Sequence, residues 1–476
     1  MADVTETATV QPGSWRDLLG RERLRTAILL AGGVGLYATN EFLTISLLPS
    51  AVADIGGQRF YAWVIAVYLI GSVVAATAVN PLLIRFGPRP SYLMTLAIFA
   101  AGTLGCAVAP SMELLLVART LQGAAGGMLA GLGYALINAA LPSRLWTRAS
   151  ALVSAMWGVS VIIGPAMGGV FAQFGIWRWA FGSLAILTVA MAVLVPGALP
   201  ARKPEDERPP IPRIPLWSLL LLGLAALAIS VAGVQRAPAA TVAFLAAGAA
   251  VVGLFLLVDR RAGARVLPRA TFQPGPLKWM YVTLGLLMAA TMVDMYVPLF
   301  GQRLAGMVPV AAGFFGAVLA VGWTVSEIVS ASVSGPRTVI RLVAAAPAVI
   351  AVGLGLGALV LGEHLTWPMV TFWAVGLFIA GAGVGVAWPH LSAWIMGAVD
   401  DPVEAGTAAA AINTVQLISG AFGAGLAGVV VNTTYGGDAT AARWLFIVFA
   451  VLAIAGLVAS TRSGLRTAQL TPDGAR

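Results

Sequence analysis

Of 476 residues, 59% are hydrophobic and only 10% are charged, where a soluble domain carries roughly 25% charge. That excess of apolar side chains requires a lipid-facing surface. It excludes an ordinary globular enzyme, and the net charge of +9, spread over short loops, excludes a nucleic-acid-binding domain with one basic face.

The chain opens with a polar leader, residues 1–25. Trp15, Leu18 and Leu19 share a helical face beside Arg16, Arg21, Arg23 and Arg25. Two readings stand: a short interfacial helix on the cytoplasmic membrane surface, or a disordered basic leader. The apolar run that follows is too long for a cleaved signal. A helix needs roughly 20 apolar residues to cross about 30 Å of hydrocarbon. Segments near 26–50, 60–84, 91–110, 112–141, 149–173, 178–198, 216–235, 241–259, 279–300, 311–333, 339–361, 367–396, 404–432 and 441–461 meet that length, fourteen in all.

The loops test this count. With the N-terminus inside, 22 Lys and Arg fall on the cytoplasmic side. Five fall outside (Arg59, Arg178, Arg236, Arg303 and Arg443), and Arg119 lies in the membrane. The positive-inside rule therefore predicts fourteen spans with both termini cytoplasmic. Residues 200–215 hold six prolines, a stiff extended linker, and 260–278 is a second long basic loop. Between them lie two spans without charge before Asp259, which read as lipid-facing additions. Removing them divides the chain into a leader at 1–25, a six-helix bundle at 26–199, linkers and extra spans at 200–278, a second six-helix bundle at 279–461 and a tail at 462–476. Gly57-Gln58-Arg59 follows the first span and Gly301-Gln302-Arg303 the ninth. Gly87-Pro88-Arg89 ends the second span and Gly335-Pro336-Arg337 the tenth. Such a paired repeat suits a rocking transporter with its site between two halves.

The second span leads into Asn80-Pro-Leu-Leu-Ile-Arg85-Phe-Gly87-Pro-Arg89. The fourth contains Arg119-Thr-Leu-Gln122-Gly123, and the fifth Gly164-Pro165-Ala-Met-Gly168-Gly169. In this order they resemble the cytoplasmic loop motif, the fourth-helix Arg motif and the antiporter motif of the major facilitator superfamily. The first span, with Asn40-Glu41-Phe42 and Pro49, looks like that of its drug:proton antiporters. The resemblance covers about residues 26–200 well and implies an all-α integral membrane fold of two six-helix bundles. It also implies that the bend at Gly164, Pro165, Gly168 and Gly169 seals the pathway against leak. Packing and kinking alone also account for that Gly-Pro pair, and packing accounts for the stripe Gly123, Gly127, Gly131. The loop motif departs from the family's pattern, with Asn80 where Gly is usual and Ile84 where an Asp precedes its Arg. The carboxylate of the usual charge latch is missing, which leaves Arg85 and Arg89 to helix ends or lipid headgroups.

Ionisable groups inside a membrane are costly and mark function. At 1.5 Å per residue, Glu41, Arg119 and Asp294 all lie about 10–12 Å below the outer ends of their helices, in one layer. Arg119 keeps its charge, while a nearby carboxylate can be ion-paired with it or protonated and neutral. This is the chemistry of a proton-coupled carrier. A permanent Glu41–Arg119 ion pair that only holds two helices is the other reading. Asp294 either faces the cavity or caps its mouth. Glu327 and His390, deeper and at matching depth, are secondary charge candidates or a structural pair. Asn40, Gln122, Asp294, Asn413 and Gln416 are candidate cavity residues, although Asn413 and Gln416 also fit local hydrogen bonding. Trp63, Trp157, Trp323, Trp388 and Trp394 could stack on an aromatic solute, where interface anchoring is the common role.

Cys106 is the single cysteine and the histidines are His364 and His390, so neither a disulfide, a metal nor a cofactor is implied. The reading is a monomeric, proton-driven exporter of amphipathic, cationic small molecules in a bacterial cytoplasmic membrane. Export of an endogenous lipid or metabolite, or substrate:proton symport, is the alternative within transport. A membrane-integral enzyme or receptor is the alternative outside it.

Overall fold

The computed structural model describes residues 14–201, 213–333, 335–399 and 401–468. The first part of the leader, most of the linker at 200–215 and the end of the tail lie outside the described residues. Among the described residues there are helices and no strands. Fourteen helices are long and apolar enough to cross a membrane: α1 (Leu24–Ile55), α2 (Gln58–Ala76), α3 (Pro88–Val108), α4 (Met112–Ala135), α5 (Arg148–Gln173), α6 (Arg178–Ala198), α7 (Leu216–Val234), α8 (Pro238–Arg261), α9 (Leu277–Ala305), α10 (Pro309–Ser330), α11 (Pro336–Val360), α12 (Trp367–Gly397), α13 (Glu404–Thr433) and α14 (Gly437–Ser463).

The leader holds a single helical turn, Trp15–Leu18. A reciprocal cap starts it: Asp17 N–H donates to Ser14 Oγ at 3.1 Å and Ser14 N–H to Asp17 Oδ2 at 3.0 Å. Those bonds hold the Asp17 carboxyl below the usual carboxylate range. Leu18 is fully buried, while Trp15 and Leu19 remain exposed. The turn is thus docked on the bundle through Leu18.

Two spans that read as straight are broken, for one reason. Proline has no N–H, and its ring clashes with the carbonyl four residues back. Pro81 does this to Thr77, so α2 stops there and a separate short helix, Val79–Phe86, carries the loop motif. Pro298 does it to Asp294, and Met292–Tyr296 tightens into a 3-10 turn inside α9. That break sits in the layer of the membrane charges.

In the first bundle α1 packs along α5, and α4 packs on α2 and α3. Gly123 and Gly127 let α4 lie directly on the backbone of Tyr68 and Ser72. In the second bundle α12 packs on α10 and α11, and α14 on α11 and α9. The two extra spans differ from each other. α8 touches chiefly α7, as a lipid-facing addition should. α7 instead packs on α13 and α2, one helix from each bundle, and so covers a seam between the halves. Trp63 is turned toward it, its Nε1–H donating to the Ser230 carbonyl at 2.9 Å. Trp63 therefore helps to hold this seam.

The bundles are joined at the end remote from the termini. There Tyr61 Oη donates to the Met295 carbonyl at 3.2 Å, Arg303 Nη2 to Gln58 Oε1 at 3.2 Å, and Asn432 Nδ2 to the Arg59 carbonyl at 2.8 Å. The two Gly-Gln-Arg repeats thus meet.

Candidate functional site

Arg119 is fully buried on α4. Its Nε–H donates to the Val64 carbonyl at 3.2 Å and its Nη1 to Gln122 Oε1 at 2.6 Å. The guanidinium carbon lies 4.1 Å from the centre of the Tyr68 ring, a desolvated cation–π contact worth about 2 kcal/mol. Tyr68 stacks on Tyr37 at 5.5 Å, and Tyr37 meets Trp157 edge-on at 5.7 Å. The chain of contacts runs from α4 through α2 and α1 to α5. The Glu41–Arg119 ion pair of the alternative reading is not made: Arg119 takes part in none of the ion pairs among the described residues. Its fork is held instead by a neutral amide, a carbonyl and a ring. No ion pair with Arg119 thus clips the two helices in this state.

Glu41 is partly exposed, one helical turn from Tyr37, and close enough to Arg119 and to Asp294 for its charge to act on each. The structure therefore brings together the three ionisable residues that counting along the helices placed in one layer, with Glu41 between the other two. On these residues and their neighbours in α1 lie buried polar atoms without protein partners: Tyr37 Oη, both amide atoms of Asn40, Arg119 Nη2 and Asp294 Oδ1. An unsatisfied buried group costs about 1–3 kcal/mol, and buried polar atoms find a partner in protein or ordered water. Asn40 is wholly buried and belongs to this set.

Gly164, Pro165, Gly168 and Gly169 form the wall beside Glu41. A Cβ on Gly164 would stand 2.5 Å from the Cβ of Phe42 and 2.9 Å from the Leu43 nitrogen, and one on Gly168 would strike the Leu43 carbonyl. A Cβ on Gly169 would stand 2.7 Å from the Val310 Cα on α10, across the boundary between halves. The Pro165 carbonyl accepts from Ser46 Oγ at 3.4 Å, and Gly313 of α10 lies against the same serine. Three helices from two bundles therefore close on one another through glycines, immediately beyond the charged layer.

Other candidates fall elsewhere. Gln122 is buried with its amide engaged: Oε1 accepts from Arg119, and Nε2 donates to Thr103 Oγ1 at 2.9 Å. It orients Arg119 and does not line an open cavity in this state. Asn413 is exposed and Gln416 partly buried on α13. Glu327 and His390 do not pair. Glu327 Oε2 accepts from Trp323 Nε1 at 2.9 Å, and His390 Nε2 shares a hydrogen bond with Ser330 at 2.9 Å. Trp323 and Trp388 lie 5.1 Å apart between them. In the loop motif Arg89 Nε donates to the Leu199 carbonyl at 2.6 Å, tying the second loop to the end of α6. Arg85 lies on Phe86 at 5.4 Å, Asn80 is exposed, and Gly87 turns the chain at φ 83°. Sequence reasoning missed Tyr37 and Tyr68. Tyr37 had a signal, four residues before Glu41 on one helical face. Tyr68 had none.

The profile of the Major Facilitator Superfamily matches residues 30–424. A Mycobacterium tuberculosis protein named as a probable multidrug-efflux transporter is 59% identical over 471 residues, covering 98% of this chain and all of that one. Among solved structures, a POT family transporter in complex with 5-aminolevulinic acid superposes with a TM-score of 0.67 at 11% identity, over 98% of this chain and 99% of that one. A bacterial homolog of the human lysosomal transporter Spinster, inward-facing and unoccupied, does so with 0.65 at 12% identity, over 96% and 99%. At these identities the two structures speak to the fold alone.

Proposed function

Since the chain belongs to the major facilitator superfamily, and is thus a multi-pass membrane transporter, we propose that it is a proton-coupled exporter of amphipathic small molecules, favouring cations. It works as a monomer in the cytoplasmic membrane with both termini inside. In that orientation the hydrogen bonds that join the bundles around Gln58 and Arg303 lie at the outer face.

The observation that carries the reading is Glu41, partly exposed between Arg119 and Asp294 and free of an ion pair with the arginine. Arg119 cannot give up its proton in a protein, so it serves as a fixed charge. A carboxylate beside it can hold a proton or release it, and an arriving cation favours release. Substrate binding from the cytoplasm would thus discharge the proton inside. Opening to the outside would let Glu41 reprotonate as the cation leaves. The apolar walls and the orphaned polar atoms nearby suit an amphipathic solute, which needs few directed bonds. The near full-length relative named for multidrug efflux supports the direction and the substrate class.

Reconstitution in vesicles tests this, with a pH gradient and the lipophilic cation ethidium as probe. Glu41→Gln is expected to remain folded and monodisperse but to lose gradient-driven ethidium movement, at least about a hundredfold if Glu41 is the required proton carrier. Gradient-driven transport by Glu41→Gln at the parent rate would refute the assignment.

A further inference from the structure

The cleft outside the charged layer lies at the terminus end of the seam that α7 covers. It encloses about 430 Å3. The end of α2 contributes Thr77 and Asn80, the linker before α7 contributes Arg213, the loop after α8 contributes Arg265, and α13 contributes Thr407 and Thr414. Leu219, Val266 and Ala410 supply an apolar floor. No acidic side chain is among the lining residues.

Arg265 is placed by a folded loop. Asp259, fully buried at the end of α8, accepts from the backbone N–H groups of Val266 at 2.8 Å and Leu267 at 3.0 Å. Arg265 Nε donates to the Ala262 carbonyl at 2.7 Å, which leaves its terminal nitrogens for the cleft. The nearest acid on α13 is already engaged: Glu404 pairs with Arg269 at 3.6 Å. Two guanidinium groups from separate linkers therefore converge on hydroxyl and amide side chains, over an apolar floor, beside the membrane surface.

We propose that this cleft is a phosphate site occupied by the headgroup of an anionic phospholipid. The guanidinium fork matches phosphate oxygens in pairs, the exposed Asn80 amide supplies a further donor, and the apolar floor receives the start of the acyl chains. Basic recesses between helices at a membrane surface recognise anionic headgroups in this way. The walls come from α2 of the first bundle, α13 of the second and the linkers of the extra spans. A bound headgroup therefore bridges elements that move apart or together as the bundles rock, and it stabilises the present state. The extra spans make the site, because both arginines lie on their linkers. Such a site requires neither proton coupling nor a given direction of transport.

The test is thermal unfolding of the full chain in a zwitterionic detergent, titrated with short-chain phosphatidylglycerol, short-chain phosphatidylcholine and inorganic phosphate. Ligand that binds only the native state raises the midpoint saturably. Phosphatidylglycerol is expected to do so and phosphatidylcholine not. Arg213→Gln with Arg265→Gln should raise the half-saturating concentration by about tenfold or more, the effect of losing two charge-assisted contacts. Arg337→Gln with Arg341→Gln, also at the terminus end, should leave it unchanged. Should the Gln pair fail to fold, Arg213→Lys with Arg265→Lys keeps the charge but loses the fork, and should still weaken the response. A saturable response to inorganic phosphate, lost in the same variants, would support the phosphate site with a soluble anion as its source. Equal responses to the two lipids, or an unaltered response in the foldable arginine variants, would overturn the proposal.

Discussion

At the scale of single residues, Asp294 shows how a backbone break makes a polar position. Pro298 removes the donor that the Asp294 carbonyl would use, α9 tightens there, and the side chain keeps an oxygen without a protein partner. Negative charge held in such a place acts at low effective dielectric, where Coulomb terms reach several kcal/mol (about 4 at an effective dielectric constant of 20 and 4 Å). Asp294→Asn preserves shape and removes that charge. Transport of a cation is expected to fall about tenfold or more, while its uncharged isostere is nearly unaffected. Paired assays on the two solutes decide it, and equal losses would assign Asp294 to structure or coupling. The depth of Glu41, Arg119 and Asp294 was legible in the sequence because helical rise is constant. Their partners were not. Rise gives height but not which way a side chain turns about its helix. Arg119 proved to turn toward Tyr68 and Gln122, and Glu327 toward Trp323 one turn away on its own helix.

At the scale of elements, glycine sets how closely α5 can approach both α1 and α10. The Gly168 and Gly169 faces touch Leu43 and Val310 backbone atoms, which cannot swing aside as a side chain can. Inserting a methyl there costs about 1–3 kcal/mol, and the cost falls only on the state in which the halves are closed at this end. Gly169→Ala should therefore shift the population toward opening there. In a Cys106→Ala background, a cysteine replacing the buried Ser46 reports that opening. An impermeant thiol reagent should label Ser46→Cys at least about fivefold faster when Gly169→Ala is added. Gly253→Ala on α8, with open space around it, should change nothing. Unchanged labelling in Gly169→Ala would mean that the approach of α5 to α10 does not hold this end shut. The spans themselves were readable because lipid leaves apolar runs uninterrupted. Their breaks at Thr77 and Asp294 were overlooked although Pro81 and Pro298 were in view, since hydropathy averages over the donor a proline removes. The separate roles of α7 and α8 were hidden for a related reason. Both are uniformly apolar, and only contact with α2 and α13 distinguishes a seam cover from a lipid-facing helix.

At the scale of the molecule, the short repeats at 57–59 and 301–303 acquire a physical meaning that spacing alone did not supply. They meet: Arg303 of one donates to Gln58 of the other, and Arg303 also pairs with Asp438 at 3.0 Å within its own bundle. Each exposed contact of this kind is individually weak, which suits a junction that must open in every cycle. Rocking of two bundles about a central site requires this junction to separate. Joining it covalently should therefore stop transport without touching the charged layer. Gln58→Cys with Arg303→Cys in a Cys106→Ala background, bridged by a flexible bismaleimide of roughly 10 Å, long enough to span side chains whose Cβ atoms need not meet disulfide geometry, is expected to abolish turnover. A reducible linker of the same length should restore it on reduction. The matched control is Asp54→Cys with Arg178→Cys, a pair joined by an ion pair within the first bundle, where the same bridge should leave transport intact. Full turnover with the Gln58–Arg303 bridge in place would show that the two bundles need not part at this end, and alternating access by rocking would fail for this protein.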